Sequence, residues 1–320
     1  MGAVSNYAGT TEIHKELEQR IARLYNKEDA IVFPSGYGAN VGIISAICSK
    51  GDVIINDSAN HASIFDGCVL SGADIKIYPH RDMRGLERIL SRIPDDITGR
   101  LIITDGVFSM DGDLAPLDKI VELGEKYHAR IMVDDAHGLG IVGKTGKGTA
   151  EYFGVTDKID LNVGMLSKAP GGLGGYCAAN KNIVQFLRLY ARSYFFSTAL
   201  PANIASGLNE VFKLIEHDKT GRKKLWENIN YLKEKLSHAG FDIGNSQSAI
   251  IPVMIYDEKT LFELYDKLRK NGVYVNIVTY PAVRRKECRL RLCAMKELSF
   301  KQIDKAVDII YKLGKEFGLV

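Results

Sequence analysis

The chain has 320 residues, of which 46% are hydrophobic and 25% are charged, and its formal net charge is +3. These values are ordinary for a globular enzyme, and the length suits one large domain with a smaller one. They argue against the strongly basic surfaces of nucleic-acid-binding proteins, and no apolar run reaches the length of a transmembrane helix.

The five cysteines indicate a reducing compartment. Their number is odd and no two form a C-x-x-C pair, which argues against a disulfide framework and a structural zinc site. The first residues lack the basic and apolar regions of a signal peptide. We therefore expect a cytoplasmic protein with no bound metal.

Helical and strand-like patterns alternate from residue 11 to about residue 180. Helices are predicted over 13–24, with Thr10 or Thr11 as the cap, and over 38–49, 83–93 and 116–127. Short apolar runs predict strands at 30–33, 52–55, 74–78, 100–104, 130–134 and 160–164. Buried strands that alternate with helices are typical of an α/β domain with a mostly parallel sheet.

The pattern changes after about residue 200. Two long helices are predicted over 203–239, with a break at 218–221. The remaining segments predict strands at 249–255, 274–280 and 289–294, and helices at 258–271 and from Ser299 onward. The sequence therefore predicts a large α/β domain over 1–215 and a small α+β domain over 216–320, with the boundary within 215–240.

Residues 133–145, VDDAHGLGIVGKT, contain two competing signals. From Gly138 to Thr145 they match the phosphate-loop pattern G-x-x-x-x-G-K-[ST]. In such a loop the Lys-Thr pair begins a helix, but here glycines follow, and glycine disfavours a helix. A plain glycine-rich loop is the simpler interpretation, and a P-loop nucleotide-binding protein is the alternative.

The first half of the same segment has an acidic residue at a strand end. Asp134 closes the strand predicted over 130–134, and His137 follows three residues later. The carboxyl ends of parallel strands border the crevice where α/β proteins bind ligands. Because a buried carboxylate needs a partner, Asp134 is either a ligand-facing group or a structural cap of its loop.

Three more candidates follow strand ends. Lys168 precedes a glycine-rich turn, where a lysine either forms a Schiff base with a carbonyl compound or is simply solvated. The turn Ser35-Gly36-Tyr37 lies between a strand and a helix, a geometry that binds phosphate. His61 begins a helix, where it either stacks on a ring or caps that helix.

A single cofactor, pyridoxal 5'-phosphate, accounts for all four features. Its aldehyde can react with the lysine, and its ring nitrogen can pair with the aspartate. Its flat ring can stack on the histidine, and its phosphate can bind at the helix N-terminus. The order of these features along the chain is typical of fold-type-I pyridoxal phosphate enzymes.

In its motifs the sequence resembles the α-oxoamine synthase family. The motifs of this resemblance are GTTEIHKELE (9–18), FPSGYGAN (33–40), NHASIFDG (60–67), TDGVFSMDGD (104–113), VDDAHGLGIVG (133–143), LSKAPGGLGGY (166–176), FFSTALP (195–201) and RLRL (289–292). The resemblance implies a fold-type-I pyridoxal phosphate enzyme with a large domain and a smaller C-terminal domain.

The resemblance also implies roles for individual residues. Lys168 corresponds to the lysine that binds the cofactor, Asp134 to the partner of the ring nitrogen, and His61 to the residue on the ring face. His137 and Ser109 correspond to residues beside the cofactor's phenolic oxygen.

Further matches concern the phosphate and the substrate. The resemblance implies that Ser35, Gly36 and Tyr37 contact the phosphate. It implies that Ser197 and Thr198 reach the phosphate from a neighbouring subunit, hence a homodimer with shared active sites. Arg291 matches the residue that binds the amino acid's carboxylate, a task suited to its planar fork.

The implied reaction condenses a small amino acid (serine, glycine or alanine) with an acyl-CoA or acyl-carrier protein, usually with decarboxylation, to give an α-amino ketone. Lys168 would be the base for the α-proton, Asp134 would keep the ring protonated, and His137 would hydrogen-bond to the acyl oxygen. A catalytically inactive dimerisation partner of such an enzyme is the remaining alternative.

Three features depart from the family pattern. Met165 stands where the family usually has threonine, and Lys296 stands where histidine is common. The motif at 9–18 lies at the N-terminus, although several dozen residues usually precede it. The motifs leave the amino acid and the acyl chain open.

Overall fold

The computed structural model describes residues 2–320 and divides into two compact units. The first unit contains the residues up to Val107 together with Ala115–His217. The second contains Phe108–Leu114 and Asp218–Val320. The short segment 108–114 therefore groups with the C-terminal residues rather than with its neighbours in sequence.

The first unit is built on a seven-stranded sheet. Its strands are β1 (Asp29–Phe33), β2 (Val53–Asp57), β3 (Asp74–Tyr78), β4 (Arg100–Asp105), β5 (Arg130–Asp134), β6 (Leu161–Met165) and β7 (Gly175–Ala179). They lie in the order β1-β7-β6-β5-β4-β2-β3. The pairs among β2 to β6 are parallel, whereas β7 is antiparallel to both β6 and β1. The predicted α/β class and mostly parallel sheet are confirmed.

Helices precede, connect and follow the strands of this unit. They are α1 (Glu12–Leu24), α2 (Gly36–Ile47), α3 (Ala62–Ser71), α4 (Met83–Leu90), α5 (Leu117–Lys126), α6 (Thr149–Tyr152), α7 (Lys181–Tyr190), α8 (Arg192–Phe195) and α9 (Ala202–His217). A π-helical turn spans Ser5–Gly9, and a 3-10 turn spans Thr156–Lys158.

Both faces of the sheet are buried at β1. Ile31 and Phe33 belong to one apolar cluster, whereas Ala30 and Val32 belong to another. Successive side chains of a strand point to opposite faces, so each face of β1 has its own core. This double burial explains why the strands are continuous apolar runs rather than alternating patterns.

The second unit has a three-stranded antiparallel sheet in the order β8-β10-β9. Its elements are α10 (Lys219–His238), β8 (Ile250–Met254), α11 (Glu258–Lys270), β9 (Asn276–Val278), β10 (Arg289–Cys293) and α12 (Phe300–Glu316), with a 3-10 turn at Arg285–Glu287. The strand predicted over 274–280 is shorter than expected, because only three of its residues pair with β10.

The predicted break near residue 218 is confirmed. Asp218 is the N-cap of α10, and its carboxylate accepts hydrogen bonds from the amides of Thr220 and Gly221. An aspartate in this position satisfies amides that have no partner inside the helix. Within residues 2–320, no helix is long and apolar enough to cross a membrane.

Candidate active site

Three neighbouring strands of the large sheet end in aspartate. These residues are Asp57 on β2, Asp105 on β4 and Asp134 on β5, and all three are buried. Strands β4 and β5 pair in register, so Asp105 and Asp134 lie side by side. Because buried carboxylates need donors or cations, we expect polar partners for these three residues at the carboxyl ends of the strands.

Asp134, which is 3% exposed, has a donor on each of its carboxylate oxygens. Oδ2 accepts from Asn40 Nδ2 at 2.7 Å, and Oδ1 accepts from the amide of Ala136 at 3.0 Å. Burial raises the pKa of Asp134 above its usual range, although these hydrogen bonds and the nearby charge of Lys168 partly lower it. The two donors and the cation thus offset part of the cost of burying the ionised carboxylate, which is the form that accepts an N–H from a protonated ring.

Asp105 has a different environment. Its Oδ2 accepts from the amide of His61 at 3.0 Å, and its own amide donates to Asn60 Oδ1 at 2.7 Å. Burial, followed by the adjacent charge of Asp134, raises the pKa of Asp105 well above its usual range. Of the two neighbouring carboxyl groups, Asp105 is therefore the one whose ionised form is disfavoured more.

His61 caps α3, as one of the two interpretations of the sequence predicts. Its Nδ1 accepts from the amide of Ser63 at 3.2 Å and lies 2.7 Å from Ser63 Oγ. The His61 side chain is exposed. Because the cap uses only Nδ1, the face of the imidazole stays available for a flat ring, and the predicted stacking is compatible with the cap.

Lys168 lies in the turn between β6 and β7, and its side chain is exposed. Its carbonyl accepts from the amide of Gly171, a residue with φ +68°. At Gly174, where φ is +102°, a Cβ would lie 2.5 Å from the carbonyl oxygen of Phe33. The turn therefore requires glycine at these positions, and it leaves the Lys168 charge acting on Asp134.

The predicted phosphate turn forms the N-terminus of α2. Ser35 is the N-cap, and its Oγ accepts from the amide of Gly38 at 3.0 Å. Gly36 and Tyr37 are the first two helical residues, whose amides have no partner inside a helix and favour an anion. A Cβ on Gly36 would lie 1.8 Å from Met165 Sδ, so a larger residue would force the methionine side chain to move.

The Tyr37 side chain is directed to α3. It is 54% exposed, and its hydroxyl donates to Asp66 Oδ2 on α3 at 2.6 Å. His137, half-buried, lies in the turn that follows β5. Their predicted contacts with the cofactor's phosphate and phenolic oxygen remain predictions.

Asp135, next to Asp134, organises the glycine-rich loop. Its Oδ2 accepts from the amide of Thr149 at 2.5 Å, and burial raises the pKa of Asp135 to about 7. A Cβ on Gly138 or on Gly148 would lie 1.8 Å from this carboxylate. The glycines of this loop are therefore explained by close packing around a side chain of the protein itself.

The second half of the loop lacks the geometry of a phosphate loop. Thr145 lies in a bend, and the next helix begins only at Thr149. The amides of Thr145 and Lys147 donate to the Glu151 carboxylate at 3.0 and 3.1 Å. An internal carboxylate thus occupies the acceptor position that a phosphate would take, and the simpler interpretation of the loop is favoured.

The second unit brings two predicted residues together. Arg291 on β10 donates through Nε to the carbonyl of Ser109 at 2.5 Å and through Nη1 to Cys293 Sγ at 3.2 Å. The first unit contains the other pair, Ser197 and Thr198, where Thr198 is exposed and bridges to Val4. The predicted ligand contacts of these four residues remain predictions.

Sequence reasoning missed the buried polar residues behind the site. Asn40, Ser63, Asp105 and Asp135 lie within the quoted motifs, but no role was predicted for them. One signal was available for Asn40: asparagine is a poor helix former, yet it lies in the interior of α2. Such a residue is expected where a polar contact outweighs its helix propensity.

The groups of the first unit fit pyridoxal phosphate. A carboxyl group with a donor on each oxygen lies at a strand end, and the charge of an amine in the next loop acts on it. An imidazole is exposed nearby, and a twelve-residue helix presents its N-terminus. This donor set matches a ring nitrogen, an aldehyde, a ring face and a phosphate.

Comparisons with known proteins agree with this chemistry. Residues 2–310 match the family model described as aminotransferase class I and II. The 8-amino-7-oxononanoate synthase of Thermoanaerobacter pseudethanolicus is 44% identical over 320 residues, which cover 100% of this chain and 81% of the relative.

Solved structures are similar over the same length. Serine palmitoyltransferase of Sphingomonas wittichii superposes with a TM-score of 0.96 at 36% identity, covering 99% of this chain and 80% of that one. A structure described as SPT with the PLP internal aldimine has a TM-score of 0.96 at 33% identity, with the same coverage. The chain therefore belongs to the α-oxoamine synthases of the aminotransferase class I and II family, pyridoxal phosphate-dependent C-acyltransferases that condense an amino acid with an acyl thioester to give an aminoketone.

Proposed function

We propose that this chain condenses alanine with the thioester of a seven-carbon dicarboxylic acid to give 8-amino-7-oxononanoate. The observation that supports this choice is an identity of 44% and 43% to two curated 8-amino-7-oxononanoate synthases, each over the whole chain. In that product, the methyl group and the amino-bearing carbon are those of alanine after loss of carbon dioxide. The other seven carbons come from the acyl group.

The proposed cofactor contacts belong to the first unit. Pyridoxal phosphate supplies an aldehyde and an electron-accepting ring when bound. Lys168 holds the aldehyde carbon, Asp134 keeps a proton on the ring nitrogen, and His61 covers the ring face. The two donors on Asp134 support this role, because they orient the carboxylate and stabilise its ionised form.

The phosphate contacts are proposed at the start of α2 and in a second subunit. The amides of Gly36 and Tyr37 and the hydroxyl of Ser35 serve the phosphate from one chain. Ser197 and Thr198 serve it from the other.

A homodimer is therefore part of the proposal. Apolar side chains exposed on α7 and directly after α8 support it, since large exposed apolar surfaces mark interfaces; they are Phe186, Leu189, Tyr190 and Phe196. A cytoplasmic location is proposed because all five cysteines are free thiols.

Three residues are proposed to act on the substrate. Lys168 takes the α-proton of the amino acid, since an amine freed from the aldehyde is a base. Arg291 binds the substrate carboxylate through its planar fork. His137 donates a hydrogen bond to the acyl oxygen as negative charge develops there.

The test is a substrate titration of the purified protein loaded with pyridoxal phosphate. Alanine, glycine and serine are added separately while the cofactor absorbance is followed, and coenzyme A release is then measured with heptanedioyl-CoA and palmitoyl-CoA. We expect the tightest response with alanine and release with the seven-carbon substrate. Release only with serine and palmitoyl-CoA contradicts the proposed substrates, and no release with any pair supports the inactive dimerisation partner.

A further inference from the structure

We propose that Asn40 and Ser63 are positioning residues that join Asp134 and His61 into one hydrogen-bonded chain, which orients the carboxylate and fixes the tautomer of the imidazole. The inference rests on the proposed function, because it takes Asp134 and His61 as the residues at the cofactor ring.

The contacts are continuous from one end to the other. Asn40 Nδ2 lies 2.7 Å from Asp134 Oδ2 and 2.9 Å from Ser63 Oγ. Ser63 Oγ lies 2.7 Å from His61 Nδ1. An amide nitrogen has two N–H groups, so Asn40 serves both acceptors at once.

The direction of each hydrogen bond follows from the chemistry of its donor. His61 Nδ1 accepts from the amide of Ser63, so this nitrogen carries no proton. The hydroxyl of Ser63 therefore donates its proton to Nδ1 while it accepts from Asn40. The neutral imidazole therefore carries its proton on Nε2, as expected when the other ring nitrogen is an acceptor.

Burial makes these contacts specific. Asn40 and Ser63 are both 0% exposed, so water does not compete for their groups. Asn40 Oδ1 is buried and has no hydrogen-bond partner within the described residues. Rotating the amide would place this oxygen against the Asp134 carboxylate, so the donors of Asn40, rather than its carbonyl, explain an asparagine inside α2.

Because of this chain of contacts, loss of Asn40 and loss of Ser63 should have different effects. Loss of Asn40 removes one of the two donors on Asp134 and leaves the backbone amide of Ala136 in place. It also removes the donor to the hydroxyl of Ser63. Loss of Ser63 affects the histidine but leaves the donor on Asp134 in place. A purely structural role predicts no such asymmetry.

The test compares Asn40→Ala and Ser63→Ala with Ser45→Ala, a matched control on the same helix whose hydroxyl donates to the carbonyl of Val41. Pyridoxal phosphate affinity and the pH of the absorbance transition of the lysine-bound cofactor are measured without substrate. Nitrogen NMR of the histidine rings reports the tautomer of His61.

We expect Asn40→Ala to weaken cofactor affinity about tenfold or more and to move the pH transition. Ser63→Ala should change the nitrogen NMR signal of His61 but largely keep the pH of the absorbance transition. Ser63→Thr should keep the original His61 signal. Ser45→Ala should change neither the His61 signal nor the pH transition. If Asn40→Ala does not fold, Asn40→Leu provides the same loss of donors with similar volume.

Two outcomes distinguish a failure of the proposed function from a failure of the positioning role. If the unmodified protein shows no lysine-bound cofactor, the proposed function is overturned, and this inference with it. If the unmodified protein binds the cofactor and the Asn40 variants keep its affinity and pH transition, the positioning role alone is overturned.

Discussion

Asp134 and Asp135 are adjacent in sequence but have separate tasks. Asp134 accepts a hydrogen bond from Asn40 and interacts electrostatically with Lys168, whereas Asp135 accepts a hydrogen bond from the amide of Thr149. Neighbouring residues of an extended segment point to opposite sides. Asp135 therefore packs against its own loop, and Asp134 remains for the proposed ligand site. The sequence predicts the first role, and the second depends on glycines brought close by the fold.

The first prediction concerns Asp135→Asn and pH. Burial raises the pKa of Asp135 from 3.8 to about 7, so between these values the folded state holds a proton that the unfolded chain releases. The contribution of this group to stability is therefore greatest below pH 4 and is lost as the pH rises to 7.

Asp135→Asn does not titrate, so its free energy of unfolding should fall less steeply than that of the unmodified protein from pH 4 to 7. Urea unfolding across that range measures the difference, and Asp96→Asn, at an exposed position, is the control. Parallel pH curves for the unmodified protein and Asp135→Asn would show that this carboxyl group does not titrate in the folded state as described.

A second prediction concerns Arg291→Lys. The variant keeps the positive charge but loses the planar fork that binds a carboxylate at two points. We expect the KM for the amino acid to rise about tenfold or more, with a smaller change in kcat. Steady-state kinetics with Arg285→Lys, an exposed position, is the comparison; an unchanged KM would remove Arg291 from the substrate site.

At the scale of elements, the predictable parts are those in which local pattern and burial agree. Strands β2, β4 and β5 are apolar runs buried on both faces, and the sequence predicts them. The sequence does not predict β7, because GYCAA is rich in small residues that are depleted in strands. Its strand form comes from pairing with β1 and β6 on either side.

The cap of α2 gives a third prediction. Ser35→Ala removes the acceptor for the amide of Gly38 and should lower the free energy of unfolding by about 1 kcal/mol. It should also weaken pyridoxal phosphate binding, because the hydroxyl is lost from the proposed phosphate site. Thermal unfolding and cofactor titration measure the two effects, with Ser45→Ala as the same change inside the helix; equal results for both variants would contradict the cap's role.

The glycine-rich loop gives a fourth prediction. Glu151→Ala removes the acceptor for the amides of Thr145 and Lys147 and should destabilise the protein by about 1.5–3 kcal/mol. Neither this variant nor the unmodified protein should bind ATP, which calorimetry can measure. ATP binding that Lys144→Ala abolishes would instead establish the phosphate loop.

At the scale of the whole molecule, the sequence indicates candidate cofactor residues but not the residues that support them. Lys168 and Asp134 are predicted from their positions after strands, a local feature. The contact between Asn40 and Asp134 joins residues 94 apart in sequence, so no local pattern indicates it. The grouping of Phe108–Leu114 with the second unit is likewise a property of the folded chain.

The central claim is that Lys168 holds pyridoxal phosphate beside Asp134. The most direct measurement is borohydride reduction of the protein loaded with the cofactor, followed by proteolysis and mass mapping of the modified lysine. We expect the pyridoxyl group on the peptide that contains Lys168, and none at that peptide in Lys168→Ala. A label on a different lysine, or no label on the unmodified protein, would contradict the claim.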